Sequence, residues 1–221
     1  MKLLAFLAVA SVASAQAPPS ADLMPTMQAM AQSLGVSCDY CHTAPRGSGQ
    51  PEPKKEVARA MMAMTRELNA KVQAATGKTA TDATAVQCVT CHRGVAIPAQ
   101  LSDILTRTLR ANGAAAAVDQ YRDLRKRYYG GQAYDFGEST LLDIAQRLAS
   151  SRPDDARALL QLNIEFYPRS VKSYSALAYA YTRKLDDASA IANLEKALEI
   201  EPENGVVRGQ LEQLKSYRRG K

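Results

Sequence analysis

The sequence predicts an all-α fold in two domains, and three observations support this. A methionine-rich helical stretch precedes each of two Cys-x-x-Cys-His motifs, Cys38–His42 and Cys88–His92. No strand-like alternation of apolar and polar residues surrounds either motif. From Leu101 onward apolar residues recur at helical spacing, and Pro168 and Pro202 are separated by 34 residues, the period of the tetratricopeptide helical repeat.

Residues 1–15 predict a secretory signal peptide. Lys2 precedes an apolar run from Leu3 to Val12, and Ala13-Ser14-Ala15 supplies the small residues before a cleavage site. The run is too short to span a bilayer, whereas an apolar first helix of the folded domain would leave the charge and cleavage pattern unexplained. We therefore expect cleavage near Ala15 and a mature protein that is periplasmic or secreted, without an integral membrane segment.

The charge pattern argues against a nucleic-acid partner. The formal net charge is +6, from 28 Lys and Arg against 22 Asp and Glu. Basic and acidic residues are interleaved along the predicted helices, which is typical of a solvated surface and not of a DNA- or RNA-binding face.

All four cysteines and both histidines lie in the two motifs. In a Cys-x-x-Cys-His sequence the two thiols form thioethers with one haem, and the adjacent histidine ligates its iron. The sequence therefore predicts two covalently bound haem c groups. The predicted attachment and proximal residues are Cys38, Cys41 and His42 for the first haem and Cys88, Cys91 and His92 for the second.

Three other uses of four cysteines fit less well. A zinc site would leave both adjacent histidines unexplained and would need pairs closer in sequence than Cys41 and Cys88. A thioredoxin-like redox pair needs a βαβ context. Two disulfides, the ordinary expectation for an exported protein, would not require histidine at all.

No histidine remains for the sixth coordination position of either iron, so methionine is the natural candidate. Met27 and Met30 precede the first motif, and Met61 and Met64 precede the second at the same spacing. Each pair shares one face of a helix, while Met62 points elsewhere. A thioether is a soft ligand that raises the reduction potential of haem iron. Packing in a core is the alternative role for any one of these side chains.

The residues around both motifs resemble a known family. Leu34–His42, preceded by Met27, is similar to one haem unit of the tetrahaem cytochrome c subunit of purple-bacterial photosynthetic reaction centres. Val57–Asn69, together with Cys88–Gly94 and Pro98, is similar to another unit of that subunit. The resemblance covers about residues 22–98.

The resemblance implies that Met27 and Met61 are the axial ligands. The chain departs from the family in having two haem motifs instead of four and no lipid-anchor cysteine. It also has Ala75 where the family carries a histidine that ligates a distant haem. These departures put a role on a photosynthetic reaction centre in doubt, but they leave the haem chemistry intact.

We expect the dihaem cytochrome c domain to occupy residues 16–98. A first helix should run to Leu34 and end at Gly35, and a second should run from about Lys54 to Ala75 and stop at Gly77. Arginine binds carboxylates with two parallel hydrogen bonds, and Arg93, directly after His92, is the best candidate for a haem propionate partner.

Residues 101–217 resemble a tetratricopeptide array of about three helical pairs. Leu101–Asn112 and Ala114–Tyr129 predict a degenerate first pair, Glu138–Pro168 a second, and Glu203–Tyr217 a closing helix. The residues at the packing positions of the third pair are Tyr174, Leu177, Ala178, Tyr181, Ala190, Leu194 and Ala197. The tyrosines that are candidates for a concave binding face are Tyr121, Tyr128, Tyr129, Tyr134, Tyr167, Tyr174, Tyr179 and Tyr181, with repeat packing as the alternative for Tyr174 and Tyr181.

These features together predict an exported dihaem c-type cytochrome that performs one-electron transfer. Its helical-repeat domain would dock a redox protein partner or mediate self-assembly. No acid–base or nucleophile constellation stands apart from the haem motifs, so we do not expect an enzyme. The alternative is a dihaem peroxidase or a haem-based gas sensor, which requires an open sixth position on at least one iron.

Overall fold

The computed structural model describes residues 23–45 and 48–219, and the predicted signal peptide lies outside them. The described residues form α-helices and one short 3₁₀ turn, with no strand among them, and this confirms the predicted all-α fold. No helix in these ranges combines the length and apolarity needed to cross a membrane. The elements are α1 (Leu23–Leu34), the 3₁₀ turn (Cys38–Tyr40), α2 (Pro53–Thr76), α3 (Cys88–His92), α4 (Leu101–Tyr128), α5 (Glu138–Leu148), α6 (Pro153–Phe166), α7 (Val171–Thr182), α8 (Asp187–Ile200) and α9 (Gly205–Arg219).

The chain divides into two compact units, the first ending at Ala96 and the second beginning at Ile97. In the first unit, the ends of α2 follow from its sequence. Pro53 occupies the first turn, where the missing N–H costs nothing, and Gly77 ends the helix in the left-handed conformation with φ of 66°.

In the second unit, α4 is interrupted at Gly113. The backbone of Gly113 has φ of 85° and ψ of 178°, a conformation that is essentially restricted to glycine. The interruption falls between the two helices predicted at Leu101–Asn112 and Ala114–Tyr129. Each part turns apolar residues inward at helical spacing, and these buried residues are Leu101, Leu105, Leu109, Ala117, Tyr121 and Leu124.

The remaining helices form two pairs, α5 with α6 and α7 with α8, and α9 packs against α8. Small residues permit close helix contacts, since Ala145, Ala156, Ala190 and Ala197 are fully buried. The residues predicted to pack the α7–α8 pair are buried at Leu177, Ala178, Ala190, Leu194 and Ala197. Tyr174 and Tyr181 are half-buried against the same apolar cluster. The assignment of these pairs to the tetratricopeptide class stays a prediction.

The prediction that Tyr121 lines a binding face is wrong. Its side chain is 0% exposed and packs against Phe136 and Phe166, with ring centroids 5.6 and 5.7 Å away. Burial raises the pKa of the Tyr121 hydroxyl. The aromatic ring contributes more to stability inside the core than at a surface, because it buries a large apolar area. Tyr129 and Tyr179, by contrast, are exposed.

Candidate haem-binding sites

The first motif is a tight turn that directly follows α1. The N–H groups of Cys41 and His42 both donate to the carbonyl of Cys38, at 3.2 and 3.0 Å. Cys38 is exposed and Cys41 is half-buried, and both thiols are free. His42 is exposed as well. The turn therefore presents two thiols and an imidazole within one short segment that is open to a ligand.

The second motif forms α3. Its two thiols, on Cys88 and Cys91, are free and three residues apart on a helix, so they share one face. The helix ends at Arg93, which adopts the left-handed conformation with φ of 48°. The side chain of Arg93 is exposed and forms no ion pair with any described residue, and its role toward a propionate stays a prediction.

The imidazole of His92 is oriented by the backbone. Its Nδ1 lies 3.0 Å from the carbonyl oxygen of Val95. A carbonyl oxygen can only accept a hydrogen bond, so the proton must be on Nδ1 and Nε2 carries the free lone pair. Metal-binding histidines are commonly held in this way, because the second hydrogen bond fixes both tautomer and ring orientation.

The candidate methionines lie on α1 and α2. Met27 and Met30 are half-buried on α1, while Met61 and Met64 are 42% and 44% exposed on α2. Both members of a pair share one helix face, so the choice of Met27 over Met30 and of Met61 over Met64 stays a prediction. Met62, which was expected to point elsewhere, is half-buried.

An apolar stripe runs along α2. It consists of Val57, Met61, Met64 and Leu68, and all four side chains are exposed. No residue of α1, α2 or α3 is buried. Exposed apolar side chains aligned over three turns of a helix indicate a surface that another apolar group covers.

These residues fit a covalently bound haem. The two thiols of each motif offer attachment to a haem and the imidazole offers ligation, and the methionine-bearing helices α1 and α2 lie in the same compact unit as both motifs. The described residues contain no group of three or more Cys, His, Asp or Glu side chains arranged to hold a metal ion. All four cysteines are free thiols.

Asn69 holds the segment that enters the second motif, and sequence reasoning missed it. Its Nδ2 donates to the carbonyl of Val86 at 3.0 Å, and its Oδ1 accepts from the N–H of Val86 at 2.7 Å. The only sequence signal was an asparagine inside a long helix, where that residue is an unfavourable choice.

The end of α1 also supports the second motif. The N–H of Gly94 donates to the carbonyl of Ser33 at 2.8 Å. Gly35 has φ of 64°, and a Cβ at this position would overlap the carbonyl oxygen of Gly94. Glycine is therefore required here both by conformation and by the close approach of two backbone segments. The sequence predicted Gly35 only as the end of a helix.

The start of α2 contacts the first motif. Glu52 accepts a long hydrogen bond from the N–H of Ala44, at 3.4 Å, and forms an ion pair with Lys55. The hydrogen bond from Lys55 lowers the pKa of the Glu52 carboxyl, with smaller contributions from Ala44 and from the charge of His42. Lys54 places its ammonium 3.6 Å from the ring centroid of Tyr40, inside the motif itself.

A comparison with curated proteins found no match. The model of one protein family, described as the photosynthetic reaction centre cytochrome C subunit, matches residues 18–130. The matched segment makes up just over half of the 221-residue chain, contains both Cys-x-x-Cys-His motifs and extends through α4, beyond the resemblance seen at about residues 22–98. The chain therefore belongs to the photosynthetic reaction centre cytochrome C subunit family, a family of cytochromes with covalently bound haem c.

Proposed function

We propose that this protein is an exported cytochrome with two haem c groups and that it transfers one electron at a time. The observation that carries the proposal is the duplication of a complete unit. Each Cys-x-x-Cys-His motif has its own methionine pair on a separate helix, α1 for the first and α2 for the second. The sequence has two histidines, one in each motif, which leaves none to serve as a sixth ligand.

The protein residues have distinct tasks in this proposal. Cys38 and Cys41 anchor the first haem, and Cys88 and Cys91 anchor the second. When bound, each haem supplies an iron that alternates between the ferrous and ferric states.

The proximal and axial ligands complete each site. The carbonyl of Val95 fixes the tautomer of His92, so that Nε2 is left to act as a ligand. Met27 and Met61 provide the sixth ligands in this proposal. The apolar stripe on α2 excludes water from the second site, and a low dielectric reduces the solvent reorganisation that accompanies a change of charge.

We propose that the protein is not an enzyme, because six ligands on each iron leave no position for a substrate. The second compact unit of the chain, which begins at Ile97, serves for docking of a redox protein or of another copy of this chain. The support for docking is a groove between α5, α7 and α9, whose lining includes Ala149, Val171, Tyr179 and Val206. Tyr179 and Val206 expose 50% and 74% of their surface, and such exposed apolar residues are common in contact surfaces.

Haem counting and redox titration of the wild type with four methionine variants test this proposal. We expect two haems per chain and a Met–iron charge-transfer band from both. Met27→Ala and Met61→Ala should each remove that band from one haem and lower its reduction potential, because a thioether ligand favours ferrous iron. Met30→Ala and Met64→Ala are matched controls on the same helix faces, and they should retain both bands.

Three results would contradict parts of the proposal. Loss of a band in Met30→Ala or Met64→Ala, with Met27→Ala or Met61→Ala unchanged, would reassign the ligand. A wild-type protein with one haem would exclude the dihaem carrier. A high-spin wild-type haem that binds carbon monoxide would favour the peroxidase or gas-sensor alternative, since both need an open iron position.

A further inference from the structure

The contact between Asn69 and Val86 joins two segments that are far apart in sequence. Both polar groups of the Asn69 side chain are used, and both polar groups of the Val86 backbone are satisfied. This pair of hydrogen bonds fixes the orientation of the Val86 backbone as well as its distance from Asn69, because both donor–acceptor pairs must align at once. Asn69 is half-buried, which protects the pair from competition by water.

The connection from Val86 to the second haem motif is short and rigid. Only Gln87 separates Val86 from Cys88, and Gln87 forms a reciprocal capping box with Thr90. The N–H of Gln87 donates to the Thr90 hydroxyl at 3.0 Å. Cys88 therefore begins a capped helix two residues after Val86, the backbone position that is bonded to α2.

Among the described residues, no other part of the loop between Gly77 and Cys88 is hydrogen-bonded to α2. After Gly77 the loop folds on itself, with the N–H groups of Asp82 and Ala83 donating to the carbonyl of Thr79. At the far end of the motif, Gly94 is bonded to Ser33 of α1. Among the described residues, the two bonds of Asn69 are thus the hydrogen bonds that tie the lead-in of α3 to α2.

The first haem copy, formed by α1 and Cys38–His42, has no equivalent of Asn69. Met27 and Met61 are equivalent positions of the two copies, and on the same offset Gly35 stands where Asn69 stands in the second. In the first copy only Gly35, Val36 and Ser37 lie between α1 and Cys38. The short connection holds that motif near its helix, whereas the second copy inserts a loop that must be closed.

We propose that Asn69 is a positioning residue for the second haem: it sets the place of the Cys88–His92 motif along α2 and thereby the relation of His92 to the methionine of that helix. This inference rests on the proposed function, in which His92 and Met61 ligate the same iron. Asn69 touches neither the haem nor the iron and acts through the backbone of Val86.

Asn69→Leu tests the inference, because it keeps a similar volume and removes both hydrogen bonds. In the holoprotein we expect the Met–iron band of one haem to weaken or disappear and the potential of that haem to shift, with the other haem unchanged. Amide exchange at Val86 should accelerate by roughly tenfold, the effect of losing about one hydrogen bond of net stability. Asn69→Asp keeps the acceptor for Val86 N–H, so it should preserve more of the protection at that amide.

Thr76→Val is the matched control. Thr76 lies on α2 and bonds only within its own helix, to the carbonyls of Val72 and Gln73. It should leave both haem spectra and the exchange at Val86 unchanged. If Asn69→Leu incorporates too little haem for spectroscopy, the haem spectra of Asn69→Asp and its amide exchange rate at Val86 decide whether Asn69 positions the motif.

The two levels of the proposal fail in different ways. A wild-type protein without two Met-ligated haems would overturn the proposed function, and this inference with it. A wild-type protein with two such haems, combined with unchanged spectra and potentials in Asn69→Leu, would overturn this inference alone.

Discussion

The two haem units have the same motif and the same methionine spacing, but they differ in how the chain connects them. In the first unit, Leu34 ends α1 and Cys38 follows almost at once. In the second, α2 continues past the equivalent Leu68 to Thr76, and a loop then returns to Cys88. The first motif follows its helix after three residues, whereas the segment that leads into the second motif is bonded to α2 by the side chain of Asn69.

Each haem unit also contacts the motif of the other haem unit. Ser33, in the last turn of α1, and Gly35, directly after that helix, contact Gly94 after the second motif. Glu52, directly before α2, and Lys54, in its first turn, contact the first motif region. In the proposed dihaem protein, the helix region that supplies the methionine for one haem thus also contacts the motif of the other, so we expect a change in one haem unit to affect the other.

The largest effect should come from removing one attachment site. The double variant Cys88→Ala/Cys91→Ala cannot form thioethers at the second motif, so we expect the haem content to fall from two per chain to one. The remaining haem should keep its Met–iron band but shift in potential, because the two units share contacts. Haem assay and redox titration measure both effects.

The matching variant Cys38→Ala/Cys41→Ala completes this comparison. It should leave the second haem in place. If either double variant lost both haems, attachment would be cooperative and the units could not be treated as separate sites. If the reduction potential of the remaining haem were identical to its value in the wild type, the contacts between the two haem units would have no effect on that potential.

The next largest effect should come from Gly35→Ala. The substitution forces a β-carbon into a left-handed position and against the carbonyl of Gly94, and we expect a loss of about 2–4 kcal/mol in the free energy of unfolding. Gly77→Ala is a close control, because its φ of 66° is nearly the same and no atom lies within 4 Å of the new carbon. That variant should lose only about 1 kcal/mol.

Denaturant unfolding of the two holoprotein variants measures this difference. Equal losses would mean that Gly35 matters only for its backbone angle. A larger loss in Gly35→Ala would show that the approach of α1 to the second motif contributes stability of its own.

Much of this architecture could be predicted from local sequence. Pro53 and Gly77 mark the ends of α2, and Gly113 marks the break in α4, because proline and glycine restrict or extend the backbone conformations available. The two Cys-x-x-Cys-His motifs predict haem sites because thioether attachment demands a fixed short spacing. Periodicity alone predicted the shared face of Met61 and Met64.

The remaining features depend on contacts between distant residues. The bonds of Asn69 to Val86 and the approach of Gly35 to Gly94 join positions that only the folded chain brings together. The burial of Tyr121 depends on Phe136 and Phe166, which lie on other segments. Helical spacing shows which residues share a face, but it does not show what that face meets.

The smallest effect should come from Glu52→Gln. This variant distinguishes contacts made by a charged side chain, at the first motif, from those made by the uncharged Asn69, at the second. Lys55 lowers the pKa of Glu52 in the native protein, so the ionised carboxylate stabilises the fold at pH values above its ordinary pKa. That contribution is lost as the pH falls through the lowered native pKa. Glu52→Gln should therefore reduce Tm slightly near neutral pH, and the difference from the wild type should vanish in acid.

Asn69→Leu is the natural comparison, because a carboxamide does not titrate. Its Tm difference from the wild type should stay constant over the same acid range, while that of Glu52→Gln shrinks. Circular dichroism melts of the holoproteins at a series of pH values measure both. A Glu52→Gln difference that persists in acid would mean that the side chain acts through its shape and not through its charge, and the first motif would then be held as the second one is.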